Sequence, residues 1–284
     1  MITVTKSIVL GLLMFGITLN AQDFHGEAIY KTHSEIDIIK RDSTQRGDIS
    51  KSHGDIQSEF EAILQKQFQK TFKLSFNKQE SLYKEEEQLE SPMPQSQNME
   101  VMFIGGTSSN VFYKNLTEKR FSKQSETMGK LFLIQGALEK YDWELGSETK
   151  NIGNYTCFKA TLKQSSEKNS LVMMKDDNLD DSLNEGETEI VAWYTPQIPV
   201  NTGPDDYHGL PGLILEVNDG FQTILCSKIV LNPKNNTEII APTKGKKVTP
   251  ERYNEIMEKK FKEMEDRYSP NDKDGETFEI RIGG

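Results

Sequence analysis

Hydrophobic and polar positions alternate with period two over much of the chain. Thr71-Phe72-Lys73-Leu74-Ser75-Phe76 is a clear instance, with Phe72, Leu74 and Phe76 on one side and the polar residues on the other. Successive side chains of a strand point to opposite faces, so this stretch predicts a strand with one buried face. The same reading predicts strands over 27–33, 36–39, 81–84, 111–115, 118–122, 130–134, 143–145, 155–162, 188–194, 213–217 and 221–230. Asn218-Asp219-Gly220 separates the last two runs, and that tripeptide between apolar segments signals a hairpin. Many short strands at regular spacing imply an antiparallel meander. In the 188–194 run, Ile190, Ala192 and Tyr194 fall on one face and Val191 and Trp193 on the other, which predicts burial on both sides.

Two stretches change period. Ile56, Phe60, Ile63, Leu64 and Phe68 recur at helical spacing among Glu, Gln and Lys, predicting an amphipathic helix over 56–69. Tyr253, Ile256, Met257, Phe261, Met264 and Tyr268 recur at three and four, with Thr249 placed to cap and Pro250 at the first helical position. That helix ends before Ser269-Pro270, and Phe278, Ile280 and Ile282 in the tail predict an edge strand. The expected fold is α+β: a mainly antiparallel, curved sheet in one domain over 22–284, with two amphipathic helices packed on it.

The densest turn chemistry lies between the 188–194 and 213–217 strands. Trp193-Tyr194-Thr195-Pro196, Ile198-Pro199, Gly203-Pro204 and Gly209-Leu210-Pro211-Gly212-Leu213-Ile214 follow one another in order. Proline fixes φ and glycine admits φ > 0, so this segment specifies one backbone path, with Gly209 or Gly212 expected at positive φ. Upstream, Trp143 and the block Asn151-Ile152-Gly153-Asn154-Tyr155-Thr156-Cys157-Phe158-Lys159-Ala160 precede it. Together these residues resemble the signature of the GLPGLI family of bacterial envelope proteins, over roughly 72–240. The resemblance implies an envelope protein and carries no established activity. The chain departs from that pattern over 164–189, an acidic insert.

Charge and candidate chemistry narrow the picture further. Among 284 residues, 34 are Lys or Arg and 44 Asp or Glu, a formal net charge of −10. Binding to a nucleic-acid backbone rests on cations neutralising phosphates, so this composition argues against it. Lys6, an apolar run over 8–19 and Leu19-Asn20-Ala21 predict a signal peptide cleaved after Ala21, hence a periplasmic or secreted protein. No later stretch is long and apolar enough for a transmembrane helix. In an oxidising compartment Cys157 and Cys226 are candidates for one disulfide, or for two buried thiols.

Within the insert, Asp176, Asn178, Asp180 and Glu187 fall at calcium-loop spacing, although Asp181 stands where the sharp turn wants glycine. No other cofactor is expected. Pro92-Met93-Pro94, Met99 and Met102 lie in a polar loop over 85–109 without His or Cys companions for a copper site. Asp205, Asp206, Tyr207 and His208 form the motif's titratable cluster, which either starts turns and covers the sheet end or, with Cys157, supplies a hydrolase-type enzyme. The function expected is non-enzymatic: a binding or accessory factor for an outer-membrane system. Carriage of an apolar ligand such as lipid and enzymatic hydrolysis are the alternatives. Convergent polar groups in a pocket would favour the enzyme, and an apolar groove or patch would favour binding.

Overall fold

A computed structural model describes residues 24–34, 36–40, 69–86, 111–165, 187–220, 222–235, 238–268 and 278–282. The predicted signal peptide, the helix over 56–69 save its last residue, the Met-containing loop from residue 87 and the acidic insert over 166–186 lie outside the described residues. The strands are β1 (His25–Ser34), β2 (Ile36–Lys40), β3 (Thr71–Asn77), β4 (Glu80–Glu85), β5 (Val111–Asn115), β6 (Arg120–Thr127) and β7 (Lys130–Ala137). They continue with β8 (Glu144–Ile152), β9 (Tyr155–Ser165), β10 (Glu187–Thr195), β11 (Leu213–Asn218), β12 (Gln222–Leu231) and β13 (Lys246–Val248). A helix, α1 (Pro250–Tyr268), and a last strand, β14 (Phe278–Ile282), complete the chain.

Twelve strands form one sheet in the order β13-β7-β6-β5-β4-β3-β1-β12-β11-β10-β9-β8. Every pairing is antiparallel except β13 on β7. The alternation read at 71–76 holds: Phe72, Leu74 and Phe76 are buried, and β3 pairs with β1 and β4 in register. The sheet must bend sharply. β7 and β8 lie ten strand positions apart, about 48 Å in a flat sheet. Yet only residues 138–143 connect them, a reach of at most about 25 Å. The two wings therefore close towards each other, and the core lies in the concavity. It includes Tyr30, Leu74, Phe76, Ile190, Leu213 and Ile214.

The expected α+β class with two packed helices is corrected to a mainly β fold with one helix among the described residues. That helix packs on β7, next to the sheet edge. Thr249 Oγ1 accepts from the backbone N–H of Arg252 at 3.3 Å, the cap read from sequence. Tyr253 then places its ring 5.4 Å from that of Phe132 on β7, with its hydroxyl 2.8 Å from that of Thr127. The helix is thus an edge element, and other residues fill the interior. Two further expectations shift, and one strand was not expected. β10 buries Ile190, Ala192 and Tyr194 fully but Val191 and Trp193 only in part, with Lys150 4.4 Å above the Trp193 ring. β14 pairs with β2 in a separate two-stranded sheet rather than extending the large one. The short strand β13 has no alternation long enough to announce it.

Candidate functional site

The segment joining β10 to β11 is drawn into the concavity. Ile198, Val200, Leu210, Leu213 and Ile214 are buried there, as apolar residues between turn formers should be once a sheet curls over them. The loop also provides its own backbone partners. Leu213 donates to the carbonyl of Ile198 at 3.0 Å and Ile214 to that of Thr202 at 3.1 Å, while the N–H of Gly209 donates to Asn201 Oδ1 at 2.5 Å. Gly209 has φ of 99°. Gly212 does not have positive φ; it is needed for room, since a Cβ there would stand 2.2 Å from the carbonyl oxygen of Thr195.

The opposite wing fastens the loop. Lys114, on β5, is fully buried and donates to the carbonyls of Gly203 at 2.9 Å, Asp205 at 2.5 Å and Tyr207 at 3.1 Å. An ammonium has three donors, so this residue is satisfied by the loop backbone alone. Burial lowers its pKa to about 8, against the opposing pull of Asp206 and Asp205. Ser81 on β4 adds a hydroxyl contact to Thr202 at 2.9 Å, and Tyr30 on β1 donates to the carbonyl of Ile214 at 2.7 Å. The β7–β8 connection then crosses the loop. Tyr141 donates to Asp206 Oδ2 at 2.8 Å, and Trp143 Nε1 donates to the carbonyl of His208 at 2.8 Å.

This arrangement fixes what the motif's titratable groups can do. His208 Nδ1 lies 2.8 Å from the carbonyl of Asp206, which can only accept, so that nitrogen carries the proton. Burial, helped by Lys114, holds the His208 pKa below its ordinary value despite the backbone contacts from Asp206 and Glu139. The Asp206 carboxyl is pushed up by burial and by Asp205, more than Tyr141, Lys123 and Lys114 pull it down. Asp205, at φ 44°, turns its side chain elsewhere: it lines a cavity of about 70 Å³ with Tyr83, Lys123, Phe72, Phe112 and Ile224 among others.

The remaining candidates lie apart from this site. Cys157 on β9 and Cys226 on β12 are free, buried thiols, their pKa values raised by burial to about 11 and about 12. Neither is an activated nucleophile. Asp176, Asn178 and Asp180 lie outside the described residues, and Glu187 begins β10. Among the described residues no group of His, Cys, Asp or Glu is placed to hold a metal ion. No helix there is long and apolar enough to cross a membrane. Pro196, Pro199 and Pro211 lie at or between the loop's turns, and Pro204 is buried with Gly203 under Lys114. Sequence reasoning missed Lys114, Tyr141, Tyr83 and Lys123. A signal for one of them existed: Lys114 occupies the same strand face as Phe112, two positions earlier.

The fold and site define a class: a curved, mainly antiparallel β protein whose concavity is filled by a turn-rich loop tied to both wings. Residues 143–216 match the model of a family described as "Protein of unknown function (Porph_ging)". The matched stretch contains the whole of the loop. No curated protein matches the chain. Solved structures that resemble it include those titled "Structure of PNGF-II in C2 space group" and "Structure of PNGF-II in P21 space group". The first is 14% identical with a TM-score of 0.46, covering 83% of this chain and 33% of that one. The second is 13% identical with a TM-score of 0.45, covering 83% and 34%. The chain spans about a third of the length of these neighbours.

Proposed function

We propose that the chain is a non-enzymatic envelope protein of the GLPGLI kind, exported by its N-terminal segment and acting as a binding or accessory factor for an outer-membrane system. The observation that supports this reading is the engagement of the motif's acid–base cluster in structure. Asp206 accepts from Tyr141, His208 is held by its own loop's backbone, and Lys114 serves three carbonyls. Groups committed in this way stabilise one loop conformation and are poorly placed to exchange protons with a substrate. The hydrolase alternative therefore loses its best residues.

The alternative of apolar-ligand carriage finds less support than an accessory role, because Ile198, Leu210 and Ile214 pack the interior that a lipid chain would need. The test is affinity capture of the tagged chain from its native envelope after mild cross-linking, with mass spectrometry of what is retained. The expected result is one membrane-protein partner that reciprocally captures the chain. Recovery of an uncross-linked monomer would overturn the reading.

A further inference from the structure

The cavity beside the loop holds polar groups that the fold leaves unmatched. Tyr83, on β4, is 4% exposed, and its hydroxyl has no hydrogen-bond partner among the described residues. Its ring is fixed by stacking on Phe72 at 4.6 Å and by edge contact with Tyr30 at 6.1 Å, so the hydroxyl cannot swing out to water. A buried hydroxyl without a partner costs free energy unless something occupies the space before it. Across the same cavity stand the ammonium of Lys123, 5.7 Å from the Phe112 ring centroid, and Asp205, whose electrostatic attraction chiefly raises the lysine's pKa. These opposite charges face one space, yet among the described residues neither side chain is engaged in an ion pair.

We propose that this cavity binds a small zwitterion of the α-amino-acid class. Its carboxylate would accept from Lys123 and from the Tyr83 hydroxyl, its ammonium would donate to Asp205, and its short side chain would lie among Phe72, Phe112 and Ile224. Each unmatched group then gains a charge-assisted partner. Size restricts the choice. About 70 Å³ is roughly half of the 150 Å³ that encloses benzene, and the cavity is open on one side, so glycine and alanine fit better than larger members. The inference stands apart from the accessory role, since the site would bind its ligand whether or not a protein partner is captured.

The test titrates the full chain with glycine, L-alanine, acetate and methylammonium, followed by calorimetry and by chemical shifts of the cavity residues. Saturable binding of glycine or alanine is expected, about tenfold or more tighter than acetate or methylammonium, because only the zwitterion pairs with both charges. Asp205→Asn, which keeps a residue tolerant of positive φ, and Lys123→Met should each weaken glycine about tenfold. Tyr83→Phe leaves packing intact and should weaken it about threefold. Native near-ultraviolet dichroism separates misfolding from lost binding, and Tyr83→Phe remains decisive if either charge variant fails to fold. Three outcomes overturn the proposal: no saturable binding, acetate binding as tightly as glycine, or unchanged affinity in Asp205→Asn and Tyr83→Phe.

Discussion

Replacing Gly212 by alanine tests the packing of the motif loop directly. The added Cβ would stand 2.2 Å from the carbonyl oxygen of Thr195, 2.5 Å from its carbonyl carbon and 2.9 Å from the nitrogen of Pro196. All three are backbone atoms, so no rotamer change relieves the clash. Ordinary contact needs about 3.5 Å, which requires the start of β11 to move from the end of β10 by about 1 Å. That displacement strains the Leu213 and Ile214 hydrogen bonds to Ile198 and Thr202. Overpacking of this kind costs about 1–3 kcal/mol and each lost hydrogen bond about 1 kcal/mol, giving a loss of about 3–5 kcal/mol. Gly209→Ala differs: its Cβ would meet Trp143 at an unstrained 3.5 Å, leaving only the φ of 99°, about 1–2 kcal/mol. Gly153, at φ 57° with nothing within 4 Å, should cost about 1 kcal/mol. Urea denaturation followed by the fluorescence of Trp143 and Trp193 measures all three. A Gly212→Ala loss below about 1 kcal/mol, or no larger than that of Gly153→Ala, would refute the packing argument.

Four other outcomes are expected. Lys114→Met should lose about 3 kcal/mol or more in the same denaturation assay, because it leaves three buried carbonyls unmatched; a loss below about 1 kcal/mol would show the loop does not depend on it. The folded pKa of Lys114 is depressed from 10.5 to about 8, so the folded chain sheds its proton first and the lysine's contribution to stability rises with pH between those values. The stability gap between wild type and Lys114→Met should therefore widen from pH 8 to pH 9.5, and a flat gap contradicts the burial argument. Asp206→Asn keeps an acceptor for Tyr141 and removes a charge that burial and Asp205 disfavour; because a raised carboxyl pKa means stability lost as pH rises through it, the variant should melt at or above the wild-type temperature at pH 7. With thiols raised to about 11 and about 12, Cys157 and Cys226 should react with a thiol reagent at pH 8 only after denaturation, and fast labelling of the native chain would show one of them exposed.

What the sequence carried was mostly local. Period-two alternation placed β1, β3, β4, β10 and β11 within a residue or two of their ends, because strand burial depends on neighbours two positions away. Asn218-Asp219-Gly220 foretold the β11–β12 hairpin, whose Asp219 side chain accepts from the N–H of Gln222 at 2.8 Å. The motif loop was legible as one fixed path through its prolines and glycines. Its reason was only half legible: positive φ at Gly209 is a property of one residue, whereas the need for Gly212 arises from β10 and appears only when the strands pair. The helix over 250–268 was read correctly, and it does pack on the sheet, but beside the edge, on β7. Amphipathicity shows that a helix has a face to bury, not which surface receives it. The second face of β10 misled for a related reason. Val191 and Trp193 are apolar yet only partly buried, with a lysine ammonium 4.4 Å above the Trp193 ring.

The site's long-range parts explain why a match over 143–216 captures the loop but not the whole of what holds it. Within that stretch lie Trp143, β10, most of β11 and the loop itself. Lys114, Ser81 and Tyr30, which reach the loop from β5, β4 and β1, lie outside it, as does Tyr141. A loop with several backbone carbonyls buried in a concavity cannot be stable from its own turns alone, because those carbonyls must find donors. Here a lysine two or more strands beyond the nearest neighbour supplies them, and it reaches only because the sheet bends. The bend in turn needs the short 138–143 connection, which delivers Tyr141 and Trp143 to the loop's other side. Curvature, connection and loop therefore form one cooperative unit. Residues flanking the loop should couple in double-mutant cycles with Lys114 despite separations of about 90 positions in sequence.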